Sequence, residues 1–237
     1  MKTLFSMVLL LAAMSGWSQL RPSGKNFQPR VGFTNSLAGG GGSITFLTSV
    51  AKNGTASDCT TAAIDSSGAN LIVLIASYYS TVPTISDSKG NSWTPLTERG
   101  GASDMERLYY CLSPASIGSG HTFDLGGIGA DTQYATLRVL VFSGVTSYAA
   151  ESGANFNNDI GAPGSISGKL FVTGASCQGN VTLSIGSSFN IDSQGTPDGT
   201  LPHGAAAYKI NGSSGAENPV WTGSGTGNSG VAMAAFE

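Results

Sequence analysis

Charge is what this chain has least of: 11% of its 237 residues are Asp, Glu, Lys or Arg, and it holds only two histidines and three cysteines. Two histidines with no H-E-x-x-H and no His/Cys cluster leave catalytic zinc without ligands. Cysteines at 59, 111 and 177 match no metal spacing and permit at most one internal disulfide. Long runs of Ala, Glu, Lys and Leu are missing, which excludes a coiled coil or helical bundle. No G-x-S-x-G elbow occurs, so hydrolase chemistry of that kind has no anchor. What is abundant is small and turn-forming: 34 Gly, 33 Ser, 21 Thr and 13 Asn. The glycines follow no three-residue period, so collagen is excluded, and recurrent Val, Ile, Leu and aromatic clusters with a net charge of −3 argue against disorder.

The N-terminus reads as an export signal. Lys2 supplies the positive end, Leu4 to Met14 an apolar core, and Gly16 and Ser18 the small residues a signal peptidase requires. That core is too short to span a bilayer of about 30 Å, and no second apolar stretch reaches that length. The expectation is a signal peptide over 1–18 and a secreted or cell-surface protein with no transmembrane segment. Residues 19–42 read as a flexible arm, with Arg21, Lys25 and Arg30 interspersed with Pro22 and Pro29 and a terminal Gly39–Gly42 run. Beyond Arg30, seven basic residues face fourteen acidic ones. A domain of that sign lacks the basic patch nucleic acid demands.

From Ser43 to Glu237, strand-sized segments alternate with turn signals. Leu71–Ala76 is apolar at every position, as in a central strand covered on both faces, whereas Val181–Ile185 alternates and exposes one face. No window offers a capped amphipathic helix, and no fixed-period repeat marks a propeller or solenoid. Ile85-Ser-Asp-Ser-Lys-Gly-Asn-Ser-Trp-Thr94 predicts a hairpin: Lys89-Gly90-Asn91 turns the chain, Asp87 caps amides, and Trp93 starts the returning strand. The expected architecture is an all-β, two-sheet β-sandwich with Greek-key or jelly-roll-like connectivity, preceded by an extended arm.

The order DSKGNSW (87–93), LYYC (108–111), GSGHTFDL (118–125), LRVLVFSGV (137–145) and VAMAAFE (231–237) resembles a jelly-roll-like β-sandwich domain found in secreted or surface bacterial proteins and some phage structural proteins. That resemblance covers most of 44–237, implies the sandwich fold, and brings no catalytic signature.

Candidate chemistry is sparse. A Ser–His–Asp set drawn on His121 and Asp124 is nearly free among 33 serines, and both His121 and His203 read as strand-end residues. Asp104 and Glu106 share one strand face, but their polar loop, Glu98–Arg107, reads as solvated charge rather than a glycosidase pair. Calcium, an oxygen-seeking ion, has contributors in Asp87 with Asn91, in Asp192 with Asp198, and in Asn157-Asn158-Asp159; otherwise no cofactor is expected. For glycan stacking the candidate rings are Tyr78, Tyr79 and Trp221, read as exposed at a strand end and in a Gly-rich loop. Cys111 sits in an apolar run, leaving Cys59 and Cys177 as the pair a single disulfide would join. The sequons at Asn53, Asn180 and Asn211 read as turns or strand starts.

These features predict a non-enzymatic extracellular structural or adhesive protein that displays polar loops to neighbouring subunits or cell-surface components and self-assembles through its arm. The alternatives are a carbohydrate-binding module or lectin, calcium-assisted or not, and a virion or tail-associated subunit.

Overall fold

The computed structural model describes residues 42–55, 58–101, 103–179, 181–186, 188–195, 203–223 and 227–237. The expected signal peptide and all of the arm except Gly42 lie outside the described residues. In chain order the strands are β1 (Thr45–Asn53), β2 (Leu71–Tyr78), β3 (Thr84–Asp87), β4 (Thr94–Pro95), β5 (Arg99–Gly101), β6 (Asp104–Leu112), β7 (Phe123–Gly126) and β8 (Thr136–Ser143). They continue with β9 (Tyr148–Asn157), β10 (Ile166–Cys177), β11 (Leu183–Ile185), β12 (Asn190–Gly195), β13 (His203–Glu217), β14 (Trp221–Gly223) and β15 (Asn228–Phe236). The helical element among the described residues is a 3₁₀ turn at Gly129–Tyr134.

Among the described residues all pairing is antiparallel. One large sheet runs β1-β8-β2-β6-β4, with β5 also on β6; the other runs β12-β13-β10-β15-β9. Two small sheets, β3-β7 and β11-β14, complete the set. The large sheets share a core in which Leu71, Val73, Ile75, Leu140 and Phe142 meet Leu170, Val172, Ala234 and Phe236. Because side chains alternate along a strand, the other residues of β2 (Ile72, Leu74, Ala76 and Tyr78) face outward. There they are covered by Cys59, Phe123, Leu125 and Ile128. The second large sheet is covered outside by Ile160, Val181, Leu183 and Trp221. The result is four β layers, compatible with a β-sandwich. The expected double burial of Leu71–Ala76 is observed, and each such aliphatic side chain contributes about 1.5–3 kcal/mol on burial.

Register exposes a relationship the sequence hides: the two halves of the chain have one topology. In β1–β8 the long strands lie in the order β1, β8, β2, β6; in β9–β15 they lie in the order β9, β15, β10, β13. Each half sends one short strand from either side of its third long strand to form the small covering sheet. Partner registers make Phe46 equivalent to Tyr148, Leu71 to Leu170, Ser77 to Ser176, Tyr110 to Tyr208, Phe142 to Phe236 and Asn53 to Asn155. Both first strands even carry a bulge at the same place, Leu47 and Ala149. The aromatic packing repeats as well. Phe46 stacks on Tyr208 at 4.7 Å, and Tyr148 stacks on Tyr110 at 5.1 Å. Phe142 and Phe236 stand edge-on to them. The halves thus meet as an isologous pair does, with each ring reaching into the other sheet.

Three expectations about the fold change. The fourth long strand of each half sits between the first and second, whereas a Greek key places it outside the first. Since β1 and β2 both pair antiparallel with β8, they run parallel to each other, and 54–70 must cross over the outer face. There Thr60 and Ile64 make isolated bridges to Asp124 and His121. The predicted 85–94 hairpin is also not formed. Its turn exists, with Gly90 at φ +72°, but β3 pairs with β7 and β4 leaves for β6. Finally, the sequon asparagine Asn211 lies inside β13 rather than at a turn, and Asn180 is outside the described residues.

Candidate functional site

Three polar assemblies stand out against this apolar frame. The first lies between the large sheets, at the end of the shared core. Ser77, Thr136, Glu106 and Arg138 project inward from neighbouring strands of the first sheet, and all are sealed from solvent. Ser77 Oγ donates to Glu106 Oε2 at 2.6 Å, while Oε1 has no partner. The second sheet answers with glycines. A Cβ at Gly174 would overlap Glu106 Oε1, one at Gly204 would overlap Thr136 and Ser77, and one at Gly195 would overlap Arg138 and Asn53. The first half therefore supplies the volume and the second half the space. Burial pushes the Glu106 carboxyl well above its ordinary value and Arg138 down to about 10. Arg138 Nη1 donates to the Lys52 and Leu137 carbonyls, and Nη2 to Asn53 Oδ1 at 2.9 Å. Asp104, also sealed, is pushed up to about 7 by burial. The reading of Asp104 and Glu106 as solvated loop charge is thus overturned: β6 starts at Asp104 and carries both between the sheets.

The second assembly is a buried Ser–His–Asp relay, with partners other than those the sequence suggests. Ser66 Oγ lies 2.8 Å from His121 Nδ1, and His121 Nε2 lies 3.3 Å from Asp87 Oδ1. Asp124 instead accepts from Thr60 Oγ1 at 2.7 Å. Ser66 and His121 are without solvent exposure, and Ser66 Oγ is further engaged by the Gly118 backbone. Asp87 Oδ1 takes the Lys89 amide at 2.7 Å, and Oδ2 takes Trp93 Nε1 at 3.1 Å. With no room for a substrate at the hydroxyl, this relay closes a turn. It also explains Asp87 and Asn91, nominated for calcium: their oxygens accept hydrogen bonds from Lys89, Trp93 and Ser116.

The third is open. A cleft of about 430 Å³ is lined by Asp58, Thr60, Asp124, Leu125, Thr132 and the glycines 126, 127 and 129, with Cys59 at its base. Thr60 orients both acids, its amide donating to Asp58 Oδ1 at 2.9 Å and its hydroxyl to Asp124. Lys52 Nζ, at 2.7 Å, and Thr60 hold Asp58 down to about 2. A smaller hollow in the second half, around Asp159, Ile160, Leu183 and Gly223, encloses about 10 Å³.

The remaining nominated residues are dispersed. Tyr78 is fully buried with its hydroxyl on Glu98, and Trp221 is fully buried with Nε1 donating to Thr173 Oγ1 at 3.1 Å. Neither presents a face to a glycan: Tyr78 is buried with Phe123 and Leu125 of the outer core, and Trp221, on a strand of the small covering sheet β11-β14, points inward onto β10. Tyr79 is half-buried and tilts against Tyr134 at 5.8 Å. Asp192 is half-buried on β12, and Asp198 is outside the described residues. Asp159 Oδ1 accepts from the Ile160 amide. Cys59 and Cys177 are free and buried in the two opposite outer cores, so the expected disulfide is not formed. Among the described residues no group of three His, Cys, Asp or Glu side chains is arranged for a metal, and no helix is long and apolar enough to cross a membrane. The chain matches no protein-family profile, no curated protein and no solved structure.

Proposed function

We propose that this chain is a non-enzymatic extracellular structural or adhesive protein. In this reading it is a two-sheet β-sandwich, exported by residues 1–18, that displays polar loops to neighbouring subunits or cell-surface components and self-assembles through residues 19–42. The observation that supports it most is a division between inside and outside. The side chains best suited to chemistry (Ser66, His121, Glu106 and Arg138) are sealed and serve packing, while Gly-, Ser- and Asn-rich connections form the surface. The test is intact mass and fractionation of the native protein, with light scattering of the secreted form. The reading expects a mature N-terminus near Gln19, an extracellular location, and oligomers that a deletion of 19–42 dissociates without unfolding. An intact Met1 in a particle-associated protein would overturn it in favour of a virion or tail subunit.

A second reading, a carbohydrate-binding module, draws support from the open cleft. Its acids and Lys52 offer acceptors and a donor together, which suits hydroxyls, each of which both donates and accepts. Asp58 is already paired with Lys52, so a cation would have to displace the lysine. A glycan array with and without chelator tests it: binding that survives chelation and is lost in Asp124→Asn supports it, and an empty array removes it.

A further inference from the structure

A β-sheet edge that is left open is a template for another strand, and this molecule closes its edges unequally. The large sheets end at β1, at β4 with β5, at β9 and at β12. On β9, Glu151 accepts from the Thr97 amide at 3.2 Å, and Asn155 Oδ1 from the Gly100 amide at 2.8 Å. Thr97 lies between β4 and β5 and Gly100 lies in β5, so these bonds tie two edges to each other. On β12, Gln194 takes the Leu183 amide at 2.9 Å and donates to the Leu183 carbonyl at 2.6 Å. On β1, among the described residues, the side-chain links are at the far end, through Lys52 to Asp58 and Asn53 to Arg138. The equivalence of the halves makes the difference specific: the residue of β1 that corresponds to Glu151 is Ser49, too short to make the same link. From Thr45 to Ala51 the edge has no charge and no proline, and it exposes Leu47 at 38%.

We infer that β1 accepts, as an added strand, residues 31–38 from the arm of a second copy of this chain; this rests on the self-assembly reading above. Val31-Gly-Phe-Thr-Asn-Ser-Leu-Ala38 is an uncharged, proline-free run bounded by Arg30 and the Gly39–Gly42 run. In an extended chain Val31, Phe33 and Leu37 share one face with Asn35, and Gly32, Thr34, Ser36 and Ala38 share the other, so three of the four large side chains on the first face are apolar. Fully extended, these residues span about 26 Å at ~3.3 Å each, a match for the length of β1. The glycine run provides the reach between molecules. Main-chain hydrogen bonds would supply affinity, and Phe33 and Leu37 would supply register.

The experiment is light scattering of the secreted chain over a concentration series, with two variants. Thr45→Lys/Leu47→Lys charges two exposed positions of the acceptor edge, and Phe33→Asp disrupts the donor. Both are expected to shift the assembly midpoint at least about tenfold while thermal melts stay unchanged. Hydrogen exchange gives a second measurement that needs no edge variant: β1 amides are expected to be protected in the wild type and to lose protection in Phe33→Asp. Assembly that persists in the β1 variant but fails in Phe33→Asp overturns the acceptor edge and leaves arm-mediated assembly standing. Assembly that persists in Phe33→Asp overturns the donor, and a wild type that is monomeric at every concentration removes both.

Discussion

Glu106 seats its carboxyl against Gly174 of the facing sheet, in a space that any side chain at 174 would occupy. Its one hydrogen bond is from Ser77, and Arg138, the nearest cation acting on it, gives its Nη nitrogens to other acceptors. A buried carboxyl so placed favours its neutral form.

The pH dependence follows from that preference. The unfolded chain loses the Glu106 proton near 4.5, but the folded chain holds it to a much higher pH. Folded protein therefore binds more protons, and stability falls as pH rises above about 4.5, with a limiting slope of about 1.4 kcal/mol per pH unit per proton. Asp104 adds the same sign between its ordinary value and about 7. Glu106→Gln should be more stable than wild type at neutral pH with a flatter profile, measured by urea denaturation at stepped pH.

His121 acts in the opposite sense. Burial lowers its pKa below 6.5, so below that pH the unfolded chain takes up a proton the folded chain refuses, and stability falls as pH falls. In the Glu106→Gln background this acid limb should stand out, and His121→Phe should make it shallower, with His203, whose pKa burial also lowers, supplying the remainder. Loss of the Ser66 and Asp87 partners should cost that variant about 1–3 kcal/mol at neutral pH.

Space at Gly174 and bulk at Glu106 should be coupled. Gly174→Ala overpacks the layer against Glu106 and Ile75 and should cost about 1–3 kcal/mol. In a Glu106→Ala background that cost should shrink by about 0.5–3 kcal/mol, the range for side chains in contact. Additive effects in the double-mutant cycle would contradict the contact.

Free thiols are a direct reading of the two outer cores. Cys59 and Cys177 are pushed up to about 12 by burial and carry essentially no thiolate at pH 8. Alkylation should add no label to the native protein and three labels after unfolding without reductant. A single label would reveal a disulfide.

Trp221 is a packing residue in this fold. Trp221→Ala should cost about 3–5 kcal/mol, and Trp221→Phe, which keeps most of the volume but leaves Thr173 Oγ1 without its donor, about 1–2. Its fluorescence should be blue-shifted and resistant to iodide quenching.

Much of this was written locally. Alternation and continuous apolar runs mark β2, β8, β10 and β15 directly, and double-sided burial of β2 follows from Leu71–Ala76 alone. β9 and β12 escape notice because Tyr-Ala-Ala-Glu-Ser-Gly and Asn-Ile-Asp-Ser-Gln-Gly have the composition of loops. They are strands because a neighbour's edge completes their hydrogen bonds, an instance of context overriding propensity. The polar layer was half legible: Glu106 and Asp104 share a face by period, but only Gly174, Gly195 and Gly204 across the gap reveal that the face is inward.

Sequence alone therefore determined the class of structure, because side-chain alternation and turn chemistry act within a few residues and need no partner. Which strand meets which was decided only in three dimensions. The pairing of β3 with β7, the shared topology of the halves, the burial of Trp221 and Tyr78, and the open edge of β1 all depend on contacts between residues tens of positions apart. Glycine shows the division most clearly: its abundance announces turns, yet at 174, 195 and 204 it lies in strands and makes room for side chains of the opposite sheet.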